Sequence, residues 1–129
     1  MKFLGIDYGS KRIGLATSDD DGRFAFPKEI IENDRTTVEN IAKIIQNENI
    51  KEIVIGESFD FSGEPNAIMA EVKVFIKELL DRFKIPVYLE REFLTSVEAR
   101  RYEQKGEKVD ASAAALILQR FLDRKNKNK

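Results

Sequence analysis

The stretch Phe3-Leu4-Gly5-Ile6-Asp7-Tyr8-Gly9-Ser10-Lys11-Arg12-Ile13-Gly14-Leu15-Ala16-Thr17 decides the fold. Phe3 to Ile6 is an apolar run that reads as a strand, and Asp7-Tyr8-Gly9-Ser10 closes it with turn-forming residues. Arg12 to Thr17 resumes as a second strand, ended by Ser18-Asp19-Asp20-Asp21-Gly22. Phe24-Ala25-Phe26 through Ile30-Ile31 is a third, where Pro27 marks an edge or a bend. Turns this short join neighbours that run in opposite directions, so the first third of the chain is an antiparallel meander.

Beyond the meander, helical and strand signals alternate. Thr36 followed by Glu39 predicts a capping box, after which Val38, Ile41, Ile44 and Ile45 recur at helical spacing. Ile53-Val54-Ile55 before Gly56 is a short buried strand, and residues 57–65 read as a loop. Ile68, Val72, Phe75, Ile76, Leu79 and Phe83 form the apolar stripe of a long helix, and Pro86 opens a strand from Val87 to Glu92. Thr95 and Glu98 predict a second capping box, for a short basic helix. Asp110 then opens a last helix with Ala114, Ile117, Leu118 and Phe121 on its inner face. The order β-β-β-α-β-α-β-α-α predicts an α/β fold: a mixed five-stranded sheet, meander first and βαβ crossovers after, with helices on both faces. That is the order of ribonuclease-H-like domains. Residues 1–125 are expected to form one domain, and residues 126–129 a basic flexible tail that is either a solvated end or a phosphate contact.

Composition narrows the chemistry. The chain has 129 residues, and neither Cys nor His is among them. Disulfides, thiol nucleophiles, Cys/His zinc sites and imidazole acid–base catalysis are therefore excluded together. Carboxylates, hydroxyls, Lys, Arg and a hard divalent cation remain. With 22 Lys and Arg against 23 Asp and Glu, net charge is −1, so nucleic acid is not gripped by bulk charge, although a local basic patch is compatible with this balance. The longest uninterrupted apolar run, Ala113 to Leu118, is far short of a membrane span, and no membrane partner is expected. The early charges at Lys2 and Asp7 do not read as a secretion signal, and the expected location is the cytoplasm.

Three acids on separated segments are candidate metal ligands. Alternation sends Phe3, Gly5 and Asp7 to one side of the first strand, which puts Asp7 at its carboxyl end, where open α/β sheets place ligands. Glu90 and Glu92 share a side of the last strand, and Glu92 lies nearer the sheet's carboxyl edge. The small residues after Asp110 permit close packing on the sheet and bring that carboxylate toward the same edge. A turn cap, a solvated strand end and a helix cap are the respective structural alternatives. Taken together, three acids without His or Cys suit Mg²⁺ or Mn²⁺. Two such ions about 4 Å apart activate water for phosphodiester cleavage.

Leu4 to Asp19 resembles the opening signature of the YqgF/RuvX family, ribonuclease-H-like proteins described as Holliday junction resolvases and as nucleases of pre-16S ribosomal RNA. Leu94-Thr95-Ser96-Val97-Glu98-Ala99 resembles the family's segment after its acidic strand, and Val109 to Leu122 is similar to its closing helix. The resemblance implies that Asp7, Glu92 and Asp110 are catalytic metal ligands, and that Lys11, Arg12, Thr95, Ser96, Arg100 and Arg101 contact nucleic acid. Two departures stand out. Arg91-Glu92-Phe93 replaces the family's Asp-Glu-Arg, and Glu57-Ser58 follows Gly56 where the family has Leu-Pro.

The expected function is a metal-dependent endonuclease acting on structured nucleic acid. Precursor rRNA is favoured as substrate, with ribosomal particles as partners. Branched DNA is the alternative, with the protein a monomer or a homodimer. A non-catalytic RNA-binding assembly factor and half of an actin-like ATPase are the competing classes. The altered loop after Gly56 favours the first of these, and Asp7-Tyr8-Gly9-Ser10 the second.

Overall fold

A computed structural model describes residues 1–59, 68–93 and 111–127, with side chains for all of these but 57–59, 92 and 93. Strands β1 (Lys2–Tyr8), β2 (Arg12–Ser18) and β3 (Ala25–Glu32) form the meander. They are followed by α1 (Thr37–Glu48), β4 (Ile50–Phe59), α2 (Met69–Arg82), β5 (Val87–Phe93) and α3 (Ala111–Lys127). The sheet order is β3-β2-β1-β4-β5, with β1 in the centre. β1 runs antiparallel to β2, and β4 and β5 run parallel to β1, as the element order predicts. The helix expected after Thr95 lies outside the described residues, as does Asp110 before α3. Among the described residues no helix is long and apolar enough to cross a membrane.

Alternation along β1 builds two cores. Leu4 and Ile6 face α1 and α2 and pack with Ile41, Ile44, Val72, Phe75 and Leu79. Phe3 faces the other way, with Ala16 and Val54, against Ala114, Ile117, Leu118 and Leu122 of α3. The unbroken apolar stretch of β1 thus reflects a strand covered on both faces.

Local rules are overridden in three places. The capping box predicted at Thr36 and Glu39 does not form: Thr36 makes no side-chain cap. Asp34 instead accepts from the Thr36 amide at 2.8 Å and from its hydroxyl, while Glu39 pairs with Arg82 of α2. Residues 57–59, expected in a loop, continue β4, because β5 pairs with β4 from Ile53↔Val87 through Phe59↔Phe93 and the ladder outweighs turn-like composition. Residues 126 and 127, expected in the tail, lie in the last turn of α3, where the Asn126 amide donates to Gly22 O at 3.0 Å. Pro27 behaves as predicted, sitting on edge strand β3 beside a bulge that shifts the register between Leu15↔Glu29 and Ala16↔Pro27.

One close approach positions α3. A Cβ on Gly5 would stand 2.7 Å from Leu118 Cβ and 3.0 Å from Ala114 O, so the helix rests directly on the backbone of the central strand. Gly5→Ala is therefore expected to lower stability by about 1–3 kcal/mol, read as a lower urea midpoint with unchanged slope. Adding Leu118→Gly should not add its full cost, since it removes the Cβ that stands 2.7 Å from the new methyl. Strict additivity of the two substitutions would contradict this packing.

Candidate functional site

The carboxyl edge of β1 carries Asp7, flanked in the sheet by glycines. Asp7 is paired with Gly14 of β2. On its other flank Ile6 pairs with Ile55, so Gly56 is the next position of β4. Asp7 is half-buried and its Oδ2 atom is buried. The neighbouring strand positions, Gly14 and Gly56, place no side chain of their own beside this carboxylate.

α3 covers the same face. It runs antiparallel to β1, for Phe121 meets Phe3 with ring centroids 5.9 Å apart, and Ala114 and Leu118 lie over Gly5. From Gly5 to Asp7 is about 6.6 Å of strand, which corresponds to about four residues of helix. The first turn of α3, beginning at Ala111, is therefore level with Asp7. Asp110 precedes that turn in sequence and lies outside the described residues.

The two glutamates of β5 separate in role. Glu90 is paired with Gly56 and is only 3% exposed. Both its carboxylate oxygens accept from the Arg124 guanidinium, one of them at 2.9 Å. That hydrogen bond, acting with the ionic attraction and against desolvation, holds the Arg124 guanidinium above its ordinary value. Glu90 is thereby committed to joining α3 to β5. Next to it, Tyr88 stacks on Phe121 at 5.2 Å and donates to Glu52 at 2.7 Å, a bond that raises the phenol's pKa together with burial and the glutamate's charge. Glu92 is two residues further along β5, paired with Ser58 at the strand's carboxyl end.

Lys11, in the turn that follows β1, and Arg12, the first residue of β2, are both exposed at this edge. Thr95, Ser96, Arg100 and Arg101 lie outside the described residues. Among the described residues no group of three or more Asp or Glu is gathered to hold a metal, a set that contains neither Asp110 nor the side chain of Glu92.

Several residues of this edge escape a reading of the sequence. Asn33, just after β3, donates its backbone N–H to Lys11 O at 2.9 Å and its side-chain amide to Gly9 O at 2.9 Å. Ser10 Oγ donates to Glu71 of α2 at 2.7 Å. On the sheet face opposite α3 this turn borders a cleft of about 670 Å³, lined by Tyr8, Ser10, Asn33, Arg35, Glu71 and Glu78 among others. The signal for Arg124 was present, since it continues the inner stripe of α3 from Ile117 and Phe121. For Asn33 the signal lay only in its register opposite the β1–β2 turn.

Arg124→Ala strands the Glu90 carboxylate in a buried position. With half of the Arg124 side chain in water, a loss of about 1–3 kcal/mol is expected. Adding Glu90→Gln should recover part of it, and thermal denaturation of the two variants checks this.

The comparisons with known proteins come down on one side. The family model described as "RuvX: Holliday junction resolvase" matches residues 1–124. A protein of Maridesulfovibrio salexigens named "Putative pre-16S rRNA nuclease" is 38% identical, the match covering 96% of this chain and 99% of the relative. One of the same name from Nitratidesulfovibrio vulgaris is 39% identical over 95% of this chain and 94% of its own. In three dimensions the fold is similar to Thermus thermophilus RuvC in complex with a Holliday junction substrate, with a TM-score of 0.59 at 15% identity over 98% of this chain and 96% of that one. It is also similar to the fowlpox virus Holliday junction resolvase, with a TM-score of 0.57 at 13% identity over 96% and 99%. The likeness to these solved structures carries the ribonuclease-H-type fold, and the match along nearly the whole sequence carries the rest: the chain belongs to the RuvX family.

Proposed function

We propose that this protein is a divalent-metal-dependent endonuclease that hydrolyses phosphodiester bonds in structured RNA, with the pre-16S rRNA 5′ end as its substrate. The observation that carries this is Asp7, seated between Gly14 and Gly56 at the sheet's carboxyl edge, level with the first turn of α3. Relatives named as pre-16S rRNA nucleases over almost the full chain support the choice of RNA. Ribosome precursors would be the partner particles and the cytoplasm the place of action.

Asp7, Glu92 and Asp110 are the proposed ligands. The donor set fits a hard cation: it consists of oxygen only, and the chain has no His or Cys to favour a softer metal. Bound there, Mg²⁺ or Mn²⁺ would lower the pKa of water to make the nucleophile and offset charge on the leaving oxygen. The chain's own residues do the rest. Asp7 orients the metal end of the site from a fixed strand, and the half-buried setting limits competing water. Lys11 and Arg12 hold the scissile backbone by its phosphates, to which Thr95, Ser96, Arg100 and Arg101 add donors and charge. Glu90 takes no part in the chemistry, being engaged by Arg124.

Branched DNA is the second reading, favoured by the description of the family model. A four-way junction has two-fold symmetry, so that activity calls for a dimer. The two readings separate when purified protein meets precursor rRNA, linear duplex and four-way junction with Mg²⁺, Mn²⁺ or chelator. Cleavage of precursor rRNA that chelator abolishes is the expected result. Asp7→Asn should fold normally and lose at least about 100-fold in rate. Undiminished cleavage by that variant would remove the mechanism, and preference for the junction by a dimer would replace the substrate.

A further inference from the structure

We infer that Asn33 is a positioning residue for the turn that presents Lys11 and Arg12, an inference that rests on the nucleic-acid reading above. Gly9, Ser10 and Lys11 connect β1 to β2, and Lys11 and Arg12 both project into solvent. Long cationic side chains lose rotamer freedom when they engage phosphate. A turn that also had to be ordered at that moment would bind more weakly, so fixing it beforehand raises affinity.

Asn33 fixes it at both ends. Its backbone N–H meets Lys11 O and its side-chain amide meets Gly9 O, each at 2.9 Å, so one residue spans the three-residue turn. A carbonyl oxygen only accepts, so the amide nitrogen must be the group facing Gly9. Asn33 is itself anchored. Glu32, which precedes it, pairs with Arg12, and the buried Thr37 hydroxyl donates to Glu32 O at 3.0 Å and lies 3.4 Å from Asn33 Oδ1. That hydroxyl also accepts from the Asp34 N–H at 2.9 Å, which locks the segment to the start of α1. Ser10 is held from the opposite flank by Glu71. The turn after Asp7 is thus tied to both α1 and α2, and Asn33 alone grips its backbone on either side of Ser10 among the described residues. The backbone from which Lys11 and Arg12 extend is thereby fixed relative to Asp7, two residues before the turn.

The test uses Asn33→Ala, with Asn33→Asp as a variant of nearly the same shape that loses the donor. One arm measures ¹⁵N relaxation at Ser10, Lys11 and Arg12. The other measures binding of a structured precursor-rRNA fragment in chelator across a salt series, together with Lys11→Gln and the double variant. Both Asn33 variants are expected to loosen the turn amides. Asn33→Ala should also bind about tenfold more weakly, with a slope of log affinity against log salt shallower by about one to two. In the double variant the two losses should fall short of additive, because both remove the same phosphate contact. A merely structural role would lower the melting temperature and leave the salt slope alone. Turn amides as ordered in Asn33→Ala as in the parent, or an unchanged slope with full additivity, would overturn the inference. A parent protein that binds no RNA would instead overturn the functional reading, and the relaxation arm would still decide whether Asn33 fixes the turn. If Asn33→Ala fails to fold, Asn33→Asp decides by the same readings.

Discussion

Everything at the carboxyl edge depends on the contact between Gly5 and α3. Leu118 and the Ala114 carbonyl occupy the space a side chain at position 5 would need, and this sets both the height and the axial position of the helix. Glycine in a strand costs about 0.5–1 kcal/mol relative to alanine. Burial of Ala114, Ile117, Leu118 and Leu122 on the same face more than offsets it. Because the helix is rigid, its seat over Gly5 determines what stands beside Asp7 about 6.6 Å further along the strand. Phe121 against Phe3 and Tyr88, and Arg124 against Glu90, pin the other half of the helix so that it does not pivot on that one contact.

The two acids of β5, at successive positions of the same parity, are not equivalent. Glu90 is buried, and without a partner its charge would be expensive to keep there. Arg124 takes up both of its oxygens, which removes that carboxylate from competition for a cation. Glu92, two residues nearer the strand end, is the acid proposed for the site. The engagement of Glu90 depends on a residue of α3 and on neither Arg91 nor Phe93.

Much of this was legible in the sequence, because it rests on periodicity and on residue types with few uses. The meander, the crossovers and the position of Asp7 follow from apolar runs, short turns and alternation, and the close approach of α3 was implied by its small residues. What was not legible depends on partners far apart in the chain. The capping box at Thr36 failed because Asp34 and Arg82 offered its two members other bonds. β4 ran past Gly56 because β5 was there to pair with it, and no local signal at Glu57 or Ser58 reports that strand. The ends of α3 and the bonds of Asn33 likewise follow from which segments meet, which only the folded chain decides. Asp7 could be placed on its strand, but the glycines on its two flanks come from Gly14 and Gly56, whose alignment with it is a matter of register.

A net charge of −1 imposes a further constraint on a protein of this kind. Without a broad positive field it cannot concentrate a polyanion over long distances, and at physiological salt charges more than about 8 Å apart act nearly independently. On the proposed reading, affinity would come from a few cations held where phosphates would lie. Such a site tolerates little looseness, since one misplaced contact is a large fraction of the total. The ties on the β1–β2 turn and the ion pair that steadies α3 suit the same requirement. Each replaces the reach of charge with fixed geometry. On that reading, a substrate whose backbone does not fit the fixed cations would gain little from long-range attraction.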